Sequence, residues 1–456
     1  MKIEVDLNLV RKYDRLGPRY TSYPTAPHFT DSFQLPGWEV HIANNNVSGG
    51  RPLSLYFHFP FCDTLCWFCA CTVVISRGRE PIDKYVGYLF REIDLYASRI
   101  HPDREVVQIH FGGGTPTHLT PEQIRAVGRK IHERFNVAAD AEISCEMDPR
   151  GLTLEHLEAL SDAGFNRASL GVQDFNPEVQ QAVNRIHDEE TIARVLANIR
   201  NTGFQSINLD LICGLPHQTP ASFAETIQSV LTLDPDRLAV FSYAHVPWMK
   251  PHQKLIQQEH LPEPEEKLQM LKQIVETLTG SGYEYIGMDH FAKENDELTI
   301  AQRSGTLQRN FQGYSTRAGA DIYGLGMSSI SQLPRSYAQH SKDLNDYYEA
   351  IDADRLPVVK GVVVTDDDDL RRTVIMRLMC DMALDFDALS TTLEVDLRSY
   401  LADEIEALSP FEEDGLIEMT PVGFRILEAG RLLVRNIAMV FDTYLVESNA
   451  RYSRTV

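Results

Sequence analysis

The sequence predicts an α/β protein: a full or partial TIM-type barrel followed by a mostly helical C-terminal domain. Three observations carry this. Six short apolar runs alternate with amphipathic stretches from about residue 53. Polar, Gly and Pro residues gather where each run ends. The strand–helix rhythm stops near residue 365. Alternation of this kind makes a parallel sheet with right-handed crossovers, and a barrel places its active site on the loops after the strands' C-terminal ends.

Residues 1–35 read as an arm over the active site. Within it GPRYTSYPTAPHF (17–29) is rich in Pro, Ser, Thr and Tyr and shows no period. A packed surface loop and a lid are both open readings. The runs then follow: LSLYFHF (53–59), VVQIHF (106–111), EISCEM (142–147), RASLG (167–171), SINLDLI (206–212) and RLAVFSY (237–243). Their five to seven residues suit strands.

The intervening stretch 81–100 repeats apolar residues at three and four. In 120–135, Thr120, Pro121 and Gln123 supply an N-cap, a first-turn proline and a capping-box partner, and 219–231 opens on the same Thr-Pro pair. Residues 254–282 read as helical. YEYIGMDHF (283–291) reads as a further strand and loop. The barrel unit is taken as 36–364 and the helical domain as 365–456. TDDDD (365–369) marks an acidic helix start and hinge, and DGLIEMTPVGFRIL reads as a small hairpin like a winged-helix wing.

Composition narrows the function classes. The 456 residues are 43% hydrophobic, which is enough for a sizeable core. The net charge of −22 argues against a broad nucleic-acid surface. No window approaches a membrane span or a signal peptide, so a cytoplasmic monomer is the expectation. Seven cysteines without an export signal point to reduced thiols rather than disulfides.

Four of those cysteines lie in FCDTLCWFCAC (61–71), after the first run. Cys62, Cys66 and Cys69 form C-x-x-x-C-x-x-C. Thiolates suit iron–sulfur clusters or zinc. Three thiols on one loop can hold three irons of a cubane and leave the fourth open. A structural zinc site would need a fourth ligand, and Cys71 is close for tetrahedral chelation. Spacing favours the cluster. Cys145, Cys213 and Cys380 sit in apolar runs and read as core.

This motif after the first strand of a (β/α) barrel resembles the radical S-adenosylmethionine (AdoMet) superfamily. GPRYTSYPTA, YFHFPFCDTLCWFCAC, FGGGTPT, DPR, GVQDF, NLDLICGLP, YAHVP, GMDHFA and NFQGYST together resemble the oxygen-independent coproporphyrinogen III oxidase family, over almost the whole chain. The resemblance implies a partial (β/α)6 radical-SAM barrel with a helical C-terminal domain. It also implies a [4Fe–4S] cluster on Cys62, Cys66 and Cys69, with AdoMet chelated at the open iron. A 5′-deoxyadenosyl radical then drives oxidative decarboxylation of two propionates of coproporphyrinogen III to the vinyls of protoporphyrinogen IX. An unidentified electron donor and acceptor are required.

By the same resemblance, Tyr56, Gly113, Glu146 and Ile330 contact the cluster-bound AdoMet. Phe68, Gly114, Thr115, Gln173, Arg185, Asp210 and Ala244 match positions around a second AdoMet. Arg185 falls in AVNRIH, read as helical, where a solvated arginine is the plain alternative. Arg19 in the arm and Arg309 in QRNFQGYST are candidate propionate contacts, because both sit in distinctive loops. No general base stands out. Alternatives are a heme-binding chaperone relative, which lacks Cys71 and the arm, another radical-SAM enzyme acting on a tetrapyrrole, and a zinc-stabilised barrel.

Overall fold

A computed structural model describes residues 2–445 together with Arg454 and Thr455. The remainder of the stretch from 446 onward, part of the expected helical domain, lies outside the described residues.

One twisted sheet of twelve strands organises the chain. In chain order these are β1 (Leu53–Phe59), β2 (Glu105–Gly113), β3 (Asn136–Met147), β4 (Arg167–Gln173), β5 (Ser206–Cys213), β6 (Arg237–Ser242), β7 (Tyr283–Gly287), β8 (His290–Lys293), β9 (Asp321–Leu325), β10 (Ile330–Leu333), β11 (Ser336–His340) and β12 (Val358–Val363). Their spatial order is β12-β11-β10-β9-β1-β2-β3-β4-β5-β6-β8-β7. Strands β1 to β6 lie side by side in sequence order and parallel, as the βα rhythm requires. The sheet ends at β12 and β7 and does not close, so the barrel is partial.

Two features differ from the expectation. YEYIGMDHF is an antiparallel hairpin, β7–β8, lying against β6. A seventh parallel strand, β9, pairs with β1 from Leu53↔Asp321 to Phe57↔Leu325 and leads into the antiparallel β10, β11 and β12.

Each of the six runs alternates, and this sets the character of the cup. Leu53, Leu55, Phe57 and Phe59 of β1 are buried among the helices. Ser54, Tyr56 and His58 point the other way, as do Gln108 and His110 of β2, Glu142, Ser144 and Glu146 of β3, Ser169 of β4, and Asn208 and Asp210 of β5. Hydrogen bonds join them across strands: Ser54 to Gln108 at 2.9 Å, Gln108 to Glu142 at 2.8 Å, and Asn208 to Ser169 at 2.9 Å. A parallel sheet covered on both faces would read as continuous apolar runs. Here one face is polar because it lines a cup.

The helices behind the sheet form as the capping signals predict. Pro121–Arg134 starts on a capping box between Thr120 and Gln123, and Pro220–Leu233 on one between Thr219 and Ser222. The expected helix over 254–282 is shorter: Pro251–Leu255 and Gln258–His260 are 3-10 turns, and the α-helix runs Pro264–Gly280. Pro262 and Pro264 explain this, since each disfavours helix at the residue before it.

The C-terminal region has its own apolar core. The helix Asp366–Asp381 is capped by Thr365 and opens on four aspartates, as expected. Ile417–Met419 and Gly423–Ile426 form the predicted hairpin, with Ala383–Asp385 as a third strand. Tyr20 and Tyr23 of the arm pack into this core, while Phe29 stacks on Tyr337 of β11 at 5.5 Å.

Candidate active site

The cysteine loop leaves β1 and is fastened on every side. The loop starts in the short strand Phe61–Cys62, which pairs with Val74–Ile75. Gly114 N–H donates to Phe59 O at 2.8 Å and Thr115 N–H to Phe61 O at 3.0 Å, tying the loop's entry to the end of β2. The loop after β4 adds Asn184 Nδ2 on Leu65 O at 2.8 Å and accepts from Trp67 N–H at Val183 O, 3.0 Å. The segment after β6 contributes three consecutive grips: Lys250 Nζ on Cys71 O at 2.8 Å, His252 Nε2 on Cys69 O at 2.7 Å, and Gln253 Nε2 on Phe68 O at 2.9 Å. The sequence reading missed all three of these residues.

Donors also converge on the sulfurs. Thr115 Oγ1 donates to Cys62 Sγ at 3.3 Å. Arg185 and Arg150 reach Cys66 Sγ at 3.5 and 3.6 Å. Asp148 pairs with both guanidiniums, at 3.0 and 2.6 Å. Burial would raise its carboxyl, but Arg185 and Arg150 hold it at about 2. A hydrogen bond from Cys71 lowers the Cys69 thiol to about 6, and Cys71 itself is pushed up. Burial pushes Cys62 up to about 11. Cys71 is exposed. Cys145, Cys213 and Cys380 are buried as expected.

The residues fit a cluster better than a single ion. All described cysteines are free thiols. Among the described residues no three His, Cys, Asp or Glu side chains converge on one metal-ion position. A tetrahedral zinc needs that convergence; a cubane does not, because each thiolate takes a different iron. N–H and O–H donors beside the sulfurs suit an anionic sulfur cluster.

Beside the loop lies the rim of the cup. Tyr56 stacks on His110 at 5.8 Å, and its hydroxyl meets His58 Nδ1 at 3.1 Å. Glu146 accepts from Gly113 N–H at 3.0 Å and meets His110 Nε2 at 3.4 Å. Burial would raise the Glu146 carboxyl, yet His110 and Gly113 hold it below its ordinary value, so it is an anion facing the cup. Gly113 has φ +115, and a Cβ there would stand 2.6 Å from the His58 ring. Ile330 joins this group through β9: Gly324 pairs with Tyr56, and a Cβ on Gly324 would meet Ile330 O at 2.8 Å.

The second set of residues surrounds the loop from the β4–β6 side. Gln253 bridges Phe68 O and Ala244 O, the latter at 3.4 Å. Arg185 spans Cys66, Asp148 and Gly171 O. Its expected helix is absent: Pro177–Ala182 ends before it, and Asn184 has φ +56. Arg185 is 7% exposed, so it is no solvated arginine. Asp210 pairs with Gly171 in register and accepts from Asn208 at 2.8 Å and Ser169 at 3.1 Å. Burial, with Glu146 adding repulsion, raises it to about 6. Gln173 has φ +72, and its buried Oε1 has no partner among the described residues.

Arg19 and Arg309 lie together elsewhere, on the wall made by β8 and the hairpin Gln308–Asn310 and Gly313–Ser315. Arg309 Nη2 donates to Arg19 O at 3.2 Å, and Arg19 is bonded to Asp289. Among the described residues no hydrogen bond or ion pair joins this pair to the cysteine loop. Besides the 250–253 grips, the sequence reading missed His58, His110, Asp148 and Arg150. The period-2 alternation pointed to the two histidines, and the end of β3 to Asp148 and Arg150.

Comparisons with known proteins agree with this geometry. Residues 56–230 match the profile of the Radical SAM superfamily, and residues 364–433 that of the HemN C-terminal domain. The chain is 46% identical to the oxygen-independent coproporphyrinogen III oxidase of Escherichia coli strain K12 over 97% of this chain and 96% of that one. It is 43% identical to the protein of the same name from Helicobacter pylori strain J99, over 99% of each. A solved structure described as "Coproporphyrinogen III oxidase (HemN) from Escherichia coli is a Radical SAM enzyme" superposes with a TM-score of 0.92 at 44% identity, covering 97% of this chain and 100% of that chain.

Proposed function

The chain belongs to the oxygen-independent coproporphyrinogen III oxidase family, and on that premise we propose how its residues divide the work. Its activity is the radical-AdoMet-dependent, oxygen-independent oxidation of coproporphyrinogen III, and its cofactors are a [4Fe–4S] cluster and S-adenosylmethionine. When bound, the cluster would supply the electron that cleaves AdoMet and so permits removal of a hydrogen atom from a propionate side chain, whose carboxylate is then lost as carbon dioxide while one electron passes to an acceptor, leaving a vinyl.

Cys62, Cys66 and Cys69 would hold the cluster, one iron to each thiolate. The loop's fastenings at Leu65, Phe68, Cys69 and Cys71 set where their sulfurs stand, so the chelating geometry is built before the cluster arrives. Thr115, Arg150 and Arg185 donate to two of the sulfurs and favour added negative charge there.

Glu146, ionised and oriented by His110 and Gly113, would accept from the ammonium or ribose hydroxyls of a bound AdoMet. Tyr56, Gly113 and Ile330 shape the same subsite. Phe68, Gly114, Thr115, Gln173, Arg185, Asp210 and Ala244 shape a second one; the free Gln173 oxygen and the carboxyl of Asp210 supply its polar contacts. The polar cup admits the tetrapyrrole. Arg19 is already neutralised by Asp289, so of the two expected propionate contacts Arg309 keeps the free N–H. One electron donor must serve the cluster, and one acceptor must take the electron the substrate releases.

The observation that carries this reading is a three-thiol loop held in place beside a rim that carries the anionic Glu146. Anaerobic assay of the reconstituted protein with AdoMet, a low-potential reductant and coproporphyrinogen III tests it. Protoporphyrinogen IX and 5′-deoxyadenosine are expected together. Absence of both from a protein carrying four irons would overturn it.

A further inference from the structure

Arg19, Arg309 and Arg435 all act on the surroundings of Asp289 and His290 at the start of β8, and among the described residues Asp289 is the carboxylate that faces them. Arg309 is 6% exposed and Arg435, on the helix Val434–Ala438, is 3% exposed. Arg309 Nη1, Arg435 Nε and Arg435 Nη1 are buried, with no hydrogen-bond partner among the described residues. Arg435 Nη2 is bonded to the Arg454 carbonyl. Arg19 is matched by Asp289. Asp289 is the carboxylate acting on Arg435, whereas Arg19 and Arg309 repel it. Burial, with those two charges adding, lowers Arg435 to about 10. The neighbouring His290 is pushed down to about 3, by burial first and then by Arg309. Buried charges in folded proteins are paired, and buried donors are satisfied. This group has three N–H-bearing atoms in surplus, so an anion belongs there.

The place is part of the cup. His290 pairs with Ala239, which pairs with Asp210, so it continues the polar inward row across β5, β6 and β8. Its ring meets Tyr314 edge-on at 5.3 Å, and the guanidinium of Arg309, the cross-strand partner of Tyr314, lies over the Tyr314 ring at 4.7 Å. On the same hairpin, Ser315 accepts from Gln108 at 3.1 Å and Gln312 donates to Ser54 at 3.2 Å, both inside the cup.

We propose that Arg435 together with Arg309, beside an Arg19 already paired with Asp289, forms an anion site that seats a porphyrinogen carboxylate not undergoing decarboxylation. The inference rests on the coproporphyrinogen III reading above. Its chemistry excludes the reacting carboxylate. That group must shed its charge as carbon dioxide, and guanidiniums that stabilise the carboxylate in the ground state would raise the barrier. A carboxylate that is retained, or waits its turn, gains from the same contact, and planar guanidiniums match its two oxygens. The site therefore makes Arg435 a specificity residue: it orients the macrocycle from the C-terminal region while the radical is made at the cysteine loop.

The experiment compares the reconstituted holoenzyme with Arg435→Gln, Arg435→Lys and Asp289→Asn. Fluorescence titration with coproporphyrin III, the stable oxidised tetracarboxylate, reads affinity. Anaerobic kinetics with coproporphyrinogen III split KM from kcat. Arg435→Gln is expected to weaken coproporphyrin III at least tenfold and to raise KM more than it lowers kcat, with partial recovery in Arg435→Lys. Asp289→Asn removes the competing carboxylate and is expected to tighten binding several-fold, a direction that mere loss of structure does not give. A folded Arg435→Gln with unchanged affinity and KM would overturn the proposal. Should that variant not fold, unchanged or weaker binding by Asp289→Asn would overturn it instead. Wild-type protein that turns over no coproporphyrinogen III would refute the underlying reading, whereas normal wild-type turnover with indifferent variants would refute this site alone.

Discussion

Replacing Gln253 by Leu keeps the side chain's volume and removes its amide. Gln253 is 0% exposed. Its Nε2 holds Phe68 O at 2.9 Å, and its Oε1 accepts from Val246 N–H at 2.6 Å. One side chain thus ties the cysteine loop to the segment after β6, 185 residues away in the chain. An unsatisfied buried group costs roughly 1–3 kcal/mol, so two would cost about 2–6 kcal/mol. Phe68 is half-buried and water can reach part of its loop, which puts the cost near the lower end, about 2 kcal/mol. That cost falls on the loop rather than on the whole fold, since the sheet beneath is untouched. A loop destabilised by about 2 kcal/mol opens roughly thirty times more often. The assay is iron release to a chelator under argon, followed at the cluster absorbance. Gln253→Leu is expected to lose iron roughly thirty-fold faster than wild type, with circular dichroism unchanged. Wild-type iron release from a folded Gln253→Leu protein would refute the claim that this amide fastens the loop.

Three further perturbations test other links. Glu92 is 0% exposed and pushed up to about 8 by burial, although Tyr347 and Gly326 N–H donate to it. From about 4.5 to about 8 the folded chain keeps a proton the unfolded chain has lost, so stability falls as pH rises, by up to roughly 5 kcal/mol. Glu92→Gln should flatten that slope in calorimetry between pH 5 and 8, and an identical slope would contradict the assignment. In Gly114→Ala the new Cβ would stand 2.6 Å from Pro60 O, a backbone atom, so the end of β2 must part from the loop entry. Iron incorporation should collapse there, yet stay normal in Gly87→Ala, where nothing lies within 4 Å. Asp148→Asn removes the carboxylate that pairs with Arg150 and Arg185 beside Cys66, and should move the cluster's reduction potential upward in an EPR-monitored titration. A downward shift would show that those guanidiniums do not act on it.

Much of this architecture is written locally. LSLYFHF is strand β1 to the residue, because its apolar positions alternate and Pro52 and Pro60 flank it. Strands β9 to β11 escaped notice for the opposite reason. DIYGL, ISQL and SYAQH are four or five residues long, carry Ser, Gly and Gln, and take their burial from neighbours rather than from an apolar run of their own. AVNRIH has helical spacing, but a single left-handed residue, Asn184, ends the helix and turns Arg185 inward. The site divides in the same way. The cysteines and the glycines after β2 are contiguous in sequence. The grips of Lys250, His252 and Gln253 come from a 3-10 turn without period and exist only once β6 delivers that turn to the loop. The unbalanced guanidiniums are likewise invisible until the arm, the 308–315 hairpin and the C-terminal helix meet.

The central claim is that three thiols hold a four-iron cluster with one corner free for AdoMet. Low-temperature EPR of the dithionite-reduced, anaerobically reconstituted protein, recorded with and without AdoMet, addresses it directly. The account predicts a [4Fe–4S]+ signal whose g-values change when AdoMet is added and which is absent when Cys62, Cys66 and Cys69 are all replaced by Ala. A four-iron signal that ignores AdoMet, or that survives loss of the three thiols, would contradict it.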